Sequence, residues 1–183
     1  FSYNSETIII FSYIGIATIV INLFTGLSIG SNVVSAHYFG AGKTSQIQDT
    51  VHTSILVSIY SGIILTVVGV LGCHGILVLM QAPADVLDLA TIYLRIYFGG
   101  ITATMLYNFG SALLRAKGDT KRPLYILLLS GIINLILNLI SVICFGMGVA
   151  GVALATVISQ CLSAGLVLFL LVKETDEFHL DLK

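Results

Sequence analysis

The chain has 183 residues, of which 57% are hydrophobic and 9% charged, with a formal net charge of -1. Its mean hydropathy is +1.03. A soluble domain carries about 25% charged residues, so the composition excludes a water-soluble globular protein and leaves an all-α integral membrane protein. The net charge says little, and the placement of the charges says more.

There is no charged side chain between Glu6 and Lys43, between Asp49 and Asp85, or between Pro123 and Val172. A bilayer is spanned by about 20 apolar residues in a helix. Each gap therefore holds a crossing, and the last holds two. The start, FSYNSETIII, lacks both an initiator Met and the basic region of a cleavable signal. The expectation is a fragment of a longer polypeptide.

In chain order, the first predicted crossing covers about residues 7–36, followed by the polar turn HYFGAGKTSQIQD. Gly26 and Gly30 within it form a small-xxx-small pattern that favours close helix packing. The second crossing covers about 47–80, with His52 and His74 near its ends as interfacial residues. Pro83, Asp85 and Asp88 then open a third, about 84–116, because Pro fixes φ and acids suit a helix start. Arg95 within it snorkels to the outer interface.

The fourth crossing covers about 122–145 and ends at the charge-free turn Gly146-Met-Gly148-Val-Ala-Gly151. The fifth covers about 149–172, and residues 173–183 read as a solvated cytoplasmic linker. Cys73, Cys144 and Cys161 are isolated in apolar runs, with no spacing that suggests a metal.

Basic residues fix the orientation. With about five crossings and the amino end outside, Lys43, Arg115, Lys117, Lys121, Arg122, Lys173 and Lys183 are cytoplasmic, and only Arg95 is outside.

The stretch 107–138 carries the most information. Arg115, Lys117, Lys121 and Arg122 surround Gly118-Asp119, and Asn108, Asn134 and Asn138 lie in the apolar flanks. An unpaired polar group there costs several kcal/mol. At a rise of about 1.5 Å per residue, Asn108 and Asn134 lie roughly 15 Å from the basic turn on antiparallel neighbours. Asn138 and Thr156 lie roughly 12 Å from the Gly146–Gly148 turn. Two readings stay open on spacing alone: hydrogen bonding that holds helices together, and a cation or substrate site of neutral oxygens.

These pieces, taken in order, resemble the multidrug and toxic compound extrusion (MATE) transporter family. The resemblance rests on Gly26-Leu-Ser-Ile-Gly30, Phe39-Gly-Ala-Gly42, Val51-His-Thr53, Tyr93-Leu-Arg-Ile-Tyr97 and Leu106-Tyr-Asn-Phe109. It also rests on Leu114-Arg-Ala-Lys-Gly-Asp-Thr-Lys-Arg-Pro-Leu124, Asn134-Leu-Ile-Leu-Asn138 and the run from Gly148 to Thr156. It implies that the chain forms most of one six-helix amino-terminal lobe, lacking the first helix and the second lobe. It further implies a plasma-membrane antiporter that exports organic cations or drugs against Na⁺ or H⁺, with no cofactor besides the coupling ion.

Asn108, Asn134, Asn138 and Thr156 fall, by that resemblance, on the first-lobe cation site. Many members carry Asp where this chain has Asn138, and an amide does not titrate. Na⁺ ligation by amide and hydroxyl oxygens remains open to it. The implied partners are a small cationic substrate, membrane lipid and the second lobe, with no nucleic acid. Competing readings are a lipid-linked oligosaccharide flippase, which wants buried basic residues, and a truncated, non-transporting fragment. No acid, base or metal cluster lies deep in a span, so an enzyme is not expected.

Overall fold

The structure, a computed structural model, describes residue 22 and residues 25–79 and 84–180, and among these its helices are joined by short turns with no strand. Helix α1 covers 25–40, α2 Thr44–Leu79, α3 Ala84–Gly99 and α4 Ile101–Ala116. Helix α5 covers Lys121–Leu139 and runs into a π-helical turn, Ile140–Cys144, before α6, Gly148–Lys173. Among the described residues, α2, α5 with its π turn, and α6 are each long and apolar enough to cross a membrane. The α3–α4 pair makes a fourth span if taken as one bent helix. Most of the predicted first crossing, 7–36, lies outside the described residues.

These helices are apolar on every side, so hydrophobicity alone does not choose which face turns inward. Small and hydroxyl side chains do. The buried face of α2 runs Ile47, Val51, Ser54, Ser58, Gly62, Leu65 at helical spacing. Its serines bury cheaply because they donate back along their own helix, Ser58 Oγ to the Ile55 carbonyl at 2.7 Å and Ser61 Oγ to Val57 at 2.7 Å. Helix α6 buries Ser159 and Ser163 in the same way. Large apolar residues such as Leu71, Ile143 and Leu135 are left on the outside, 60–78% exposed, as lipid-facing side chains should be.

Helix α4 is the middle of the bundle. It packs on α2 and on α6, while α5 lies on the far side of α6. The core gathers Val51, Leu113, Leu114, Val167, Leu171 and Phe178. Close approach of α4 to α6 depends on Gly110, where an added Cβ would stand 2.2 Å from Val167 Cγ1. By contrast, nothing lies within 4 Å of a Cβ built at Gly26 or Gly30. The pattern flagged for packing in α1 is not where the described helices meet.

The predicted third crossing is two helices bent by 42°. The break falls at Gly99-Gly100, a pair that kinks helices readily. There the Thr66 hydroxyl donates to the Phe98 carbonyl at 3.0 Å, satisfying a helix-end acceptor.

The segment after α6 is not a solvated linker. Phe178 and Leu180 are 0% and 4% exposed, and the Leu180 N–H donates to the Leu171 carbonyl at 3.0 Å. Phe178 meets Phe39 edge-on, with ring centroids 5.5 Å apart. Glu174 pairs with Lys117 and Arg122, and Asp176 pairs with Lys117. Two acids of the run read as solvated, Glu174 and Asp176, are partners of the basic turn, and burial of the two apolar side chains carries the segment back onto the bundle.

Candidate functional site: an uncharged polar cluster between α5 and α6

Asn134 and Asn138 are one helical turn apart on α5, so their side chains share a face. Asn138 Nδ2 donates to Asn134 Oδ1 at 3.1 Å. Asn134 Nδ2 in turn donates across the interface to Thr156 Oγ1 at 3.3 Å and to Ser159 Oγ at 3.2 Å. Thr156 and Ser159 send their own hydroxyl protons to the Val152 and Thr156 carbonyls, at 3.0 and 2.8 Å. Their oxygens therefore face the asparagines as acceptors.

The result is a chain of neutral groups within two apolar helices. One atom in it is left over. Asn138 Oδ1 is buried and has no hydrogen-bond partner among the described residues. Such an orphaned acceptor costs about 1–3 kcal/mol. An amide oxygen held open beside hydroxyl oxygens is the donor type a hard monovalent cation takes, with no thiolate or imidazole to attract a softer metal.

Three of the four residues expected from spacing thus meet: Asn134, Asn138 and Thr156. Asn108 does not join them. It is half-buried on α4 and makes no side-chain hydrogen bond among the described residues. The expectation that α4 and α5 run as paired neighbours fails for a packing reason: they join near the basic turn, where Tyr107 Oη donates to the Pro123 carbonyl at 3.1 Å, and beyond it α5 packs on α6 while α4 packs on α2 and α6. Ser159 was missed by the sequence reading. It lies three residues beyond Thr156 and so on the same face, a signal the spacing already held.

A second polar seam ties α1 to the bundle: Asn32 Nδ2 donates to the Ala112 carbonyl at 2.7 Å, and the Ser31 and Ser54 hydroxyls pair. Among the described residues, no group of three or more His, Cys, Asp or Glu could hold a metal ion. At the basic end, burial lowers the affinity of Lys117 for its proton, but the hydrogen bonds and charges of Asp176 and Glu174 outweigh it and the net shift is upward from the ordinary lysine value.

Apolar helices with lipid-facing outer sides and an uncharged polar cluster between two spans define a multi-pass membrane protein. The comparisons make the assignment specific. The family model described as MatE matches residues 11–140. The chain is 31% identical over 154 residues to the "Probable multidrug resistance protein YoeA" of Bacillus subtilis (strain 168), covering 81% of this chain and 33% of that protein. It is 26% identical over 163 residues to an "FAD transporter" of Shewanella oneidensis, covering 86% of this chain and 36% of that one. The outward-facing conformation of a multidrug resistance MATE family transporter of the MOP superfamily superposes with a TM-score of 0.85. Identity there is 24%, with 96% of this chain and 39% of that one covered, a likeness of fold. The chain belongs to the MatE family. It spans about a third of the length of the curated relatives it matches.

Proposed function

We propose that the chain is the amino-terminal lobe of a secondary active antiporter, a transporter and not an enzyme. It exports amphipathic organic cations by alternating access, and the α5–α6 cluster takes the coupling ion. The single observation that carries this reading is the buried, unpartnered Asn138 Oδ1 beside the Asn134–Thr156–Ser159 chain. Interhelical bonding alone satisfies donors and acceptors together, whereas here an acceptor is held open at a cost. Because none of the four side chains titrates in the physiological range, the ion favoured is Na⁺ over H⁺. The α3–α4 break at Gly99-Gly100 packs on Val157, next to Thr156, and sites beside interrupted helices are the usual architecture of such carriers.

The reading places the basic connections in the cytoplasm. Lys43, the Lys117–Arg122 turn and Lys173 come to one end of the bundle, tied together by the segment 174–180. A lipid-linked sugar or another anionic cargo is the second reading, and the FAD transporter among the relatives keeps it in view. It wants cavity-facing Lys or Arg, and the spans of α2, α5 and α6 carry none away from their ends.

The deciding experiment is Na⁺-driven efflux of a fluorescent organic cation from vesicles holding the native polypeptide. Asn134→Ala removes the donor that joins the two helices. It is expected to abolish the Na⁺ dependence while leaving membrane insertion intact. Efflux with an unchanged Na⁺ dependence would reduce the cluster to a structural bond.

A further inference from the structure

The end of the α5–α6 pair opposite the basic turn is closed by a tight contact at Gly151. A Cβ at Gly151 would stand 2.8 Å from Ser141 Cβ and 2.9 Å from Met147 Cβ. Ser141 lies in the π-helical turn Ile140–Cys144, and its carbonyl accepts the Met147 N–H at 3.0 Å. The chain leaving α5 is thus tied back onto Ser141 before it enters α6. Met147 stands between Gly146 at φ +60 and Gly148 at φ +54 and can give way with that turn. Ser141 is held within helix and gives way only if α5 moves.

The contact lies close to the polar cluster. Ser141 is three residues beyond Asn138 and Gly151 five before Thr156, roughly 4.5 and 7.5 Å along their axes. The bonds from Asn134 to Thr156 and Ser159, at 3.3 and 3.2 Å, are already long compared with the usual value of about 2.9 Å. Ordinary contact for a Cβ begins at 3.4 Å. A methyl group at position 151 therefore requires roughly 0.6 Å of separation in a close-packed interface, of which a few tenths at the cluster break both bonds.

We propose that Gly151 is a positioning residue for the coupling ion: its missing side chain lets the π turn of α5 sit against α6, and this sets the spacing of Asn134 and Asn138 to Thr156 and Ser159. The proposal rests on the reading of that cluster as an ion site. It is tested on the purified native polypeptide by titrating its thermal stabilisation with Na⁺ at fixed pH. Gly151→Ala is expected to raise the half-saturating Na⁺ concentration about tenfold, the scale of effect that sub-ångström misplacement produces. Adding Ser141→Gly to Gly151→Ala removes the crowding atom on α5, leaving only Met147, which the turn can move, and brings the value back toward wild type.

A purely structural role would lower the melting temperature without Na⁺ and leave the half-saturating concentration unmoved, which overturns the proposal. Asn134→Ala run alongside separates the two ideas. If it abolishes the Na⁺ response while Gly151→Ala does not weaken it, only the positioning role falls. If Asn134→Ala leaves the response intact, the ion site falls and the positioning role with it. Should Gly151→Ala not reach the membrane, Ser141→Val crowds the same contact from the α5 side and is read by the same two outcomes.

Discussion

Asn138 is the residue on which the proposed ion chemistry turns. Its amide carries no charge at any pH the protein meets, so the cluster stays neutral whichever ion is offered. Asn138→Asp places a carboxylate where Oδ1 now lies unpartnered. A full negative charge near a partly buried cation is worth several kcal/mol at short range, so Na⁺ binding is expected to tighten by about tenfold or more above the carboxyl pKa. As pH falls and the carboxyl protonates, that gain is lost. A Na⁺ titration repeated from alkaline to acid pH should therefore slope in the variant and stay flat in the native protein. A flat profile in both would mean that position 138 does not touch the ion.

At the scale of the element, the segment 174–180 is a strap. It holds the α1–α2 turn through Phe39, the α4–α5 turn through Lys117 and Arg122, and α6 through Leu171. Partly exposed ion pairs contribute only about 0–1 kcal/mol each, so Phe178, fully buried, supplies the larger share. Phe178→Ala is expected to cost about 3 kcal/mol and to free the strap, seen as faster amide exchange across 174–180 with little change in the spans. The pairs give the strap a pH dependence of known sign. The Lys117 pKa is raised above its ordinary 10.5, against the pull of burial, by Asp176 and Glu174. Its stabilising effect is therefore complete below the unfolded-state value and fades as pH rises through the raised one. Protection of the strap amides, relative to their intrinsic exchange at each pH, should fall only in that alkaline range, and Lys117→Gln should remove that fall.

For the whole molecule, the strap settles which connections share an end. The basic groups Lys43, Lys117, Lys121, Arg122 and Lys173 all lie at connections on that side of the bundle. Positively charged connections stay in the cytoplasm, so a protease site or reporter placed after residue 180 should be reached from the cytoplasmic side of the membrane alone. Reporter activity on the outer face would invert the lobe, and with it the direction assigned to export.

The sequence by itself determined the membrane solvent, the helical class, the basic side and most of the polar cluster. The reason is that each of these depends on local composition or on spacing along one helix. Charge-free runs must cross the bilayer, and Asn134 and Asn138 share a face by helical geometry whatever surrounds them. Which helix neighbours which is a different kind of fact. In helices apolar all round, no stripe announces the inner face. The choice is made by glycines and serines whose fit depends on a partner far along the chain, as Gly110 on Val167 and Gly62 on Thr102. Hence only the tertiary structure decided that α6 packs on both α4 and α5, that Asn108 stands apart, and that Ser159 completes the cluster. For the same reason the acidic tail read as solvated linker: its partners, Lys117 and Arg122, lie more than 50 residues earlier in the chain, beyond the reach of any local pattern.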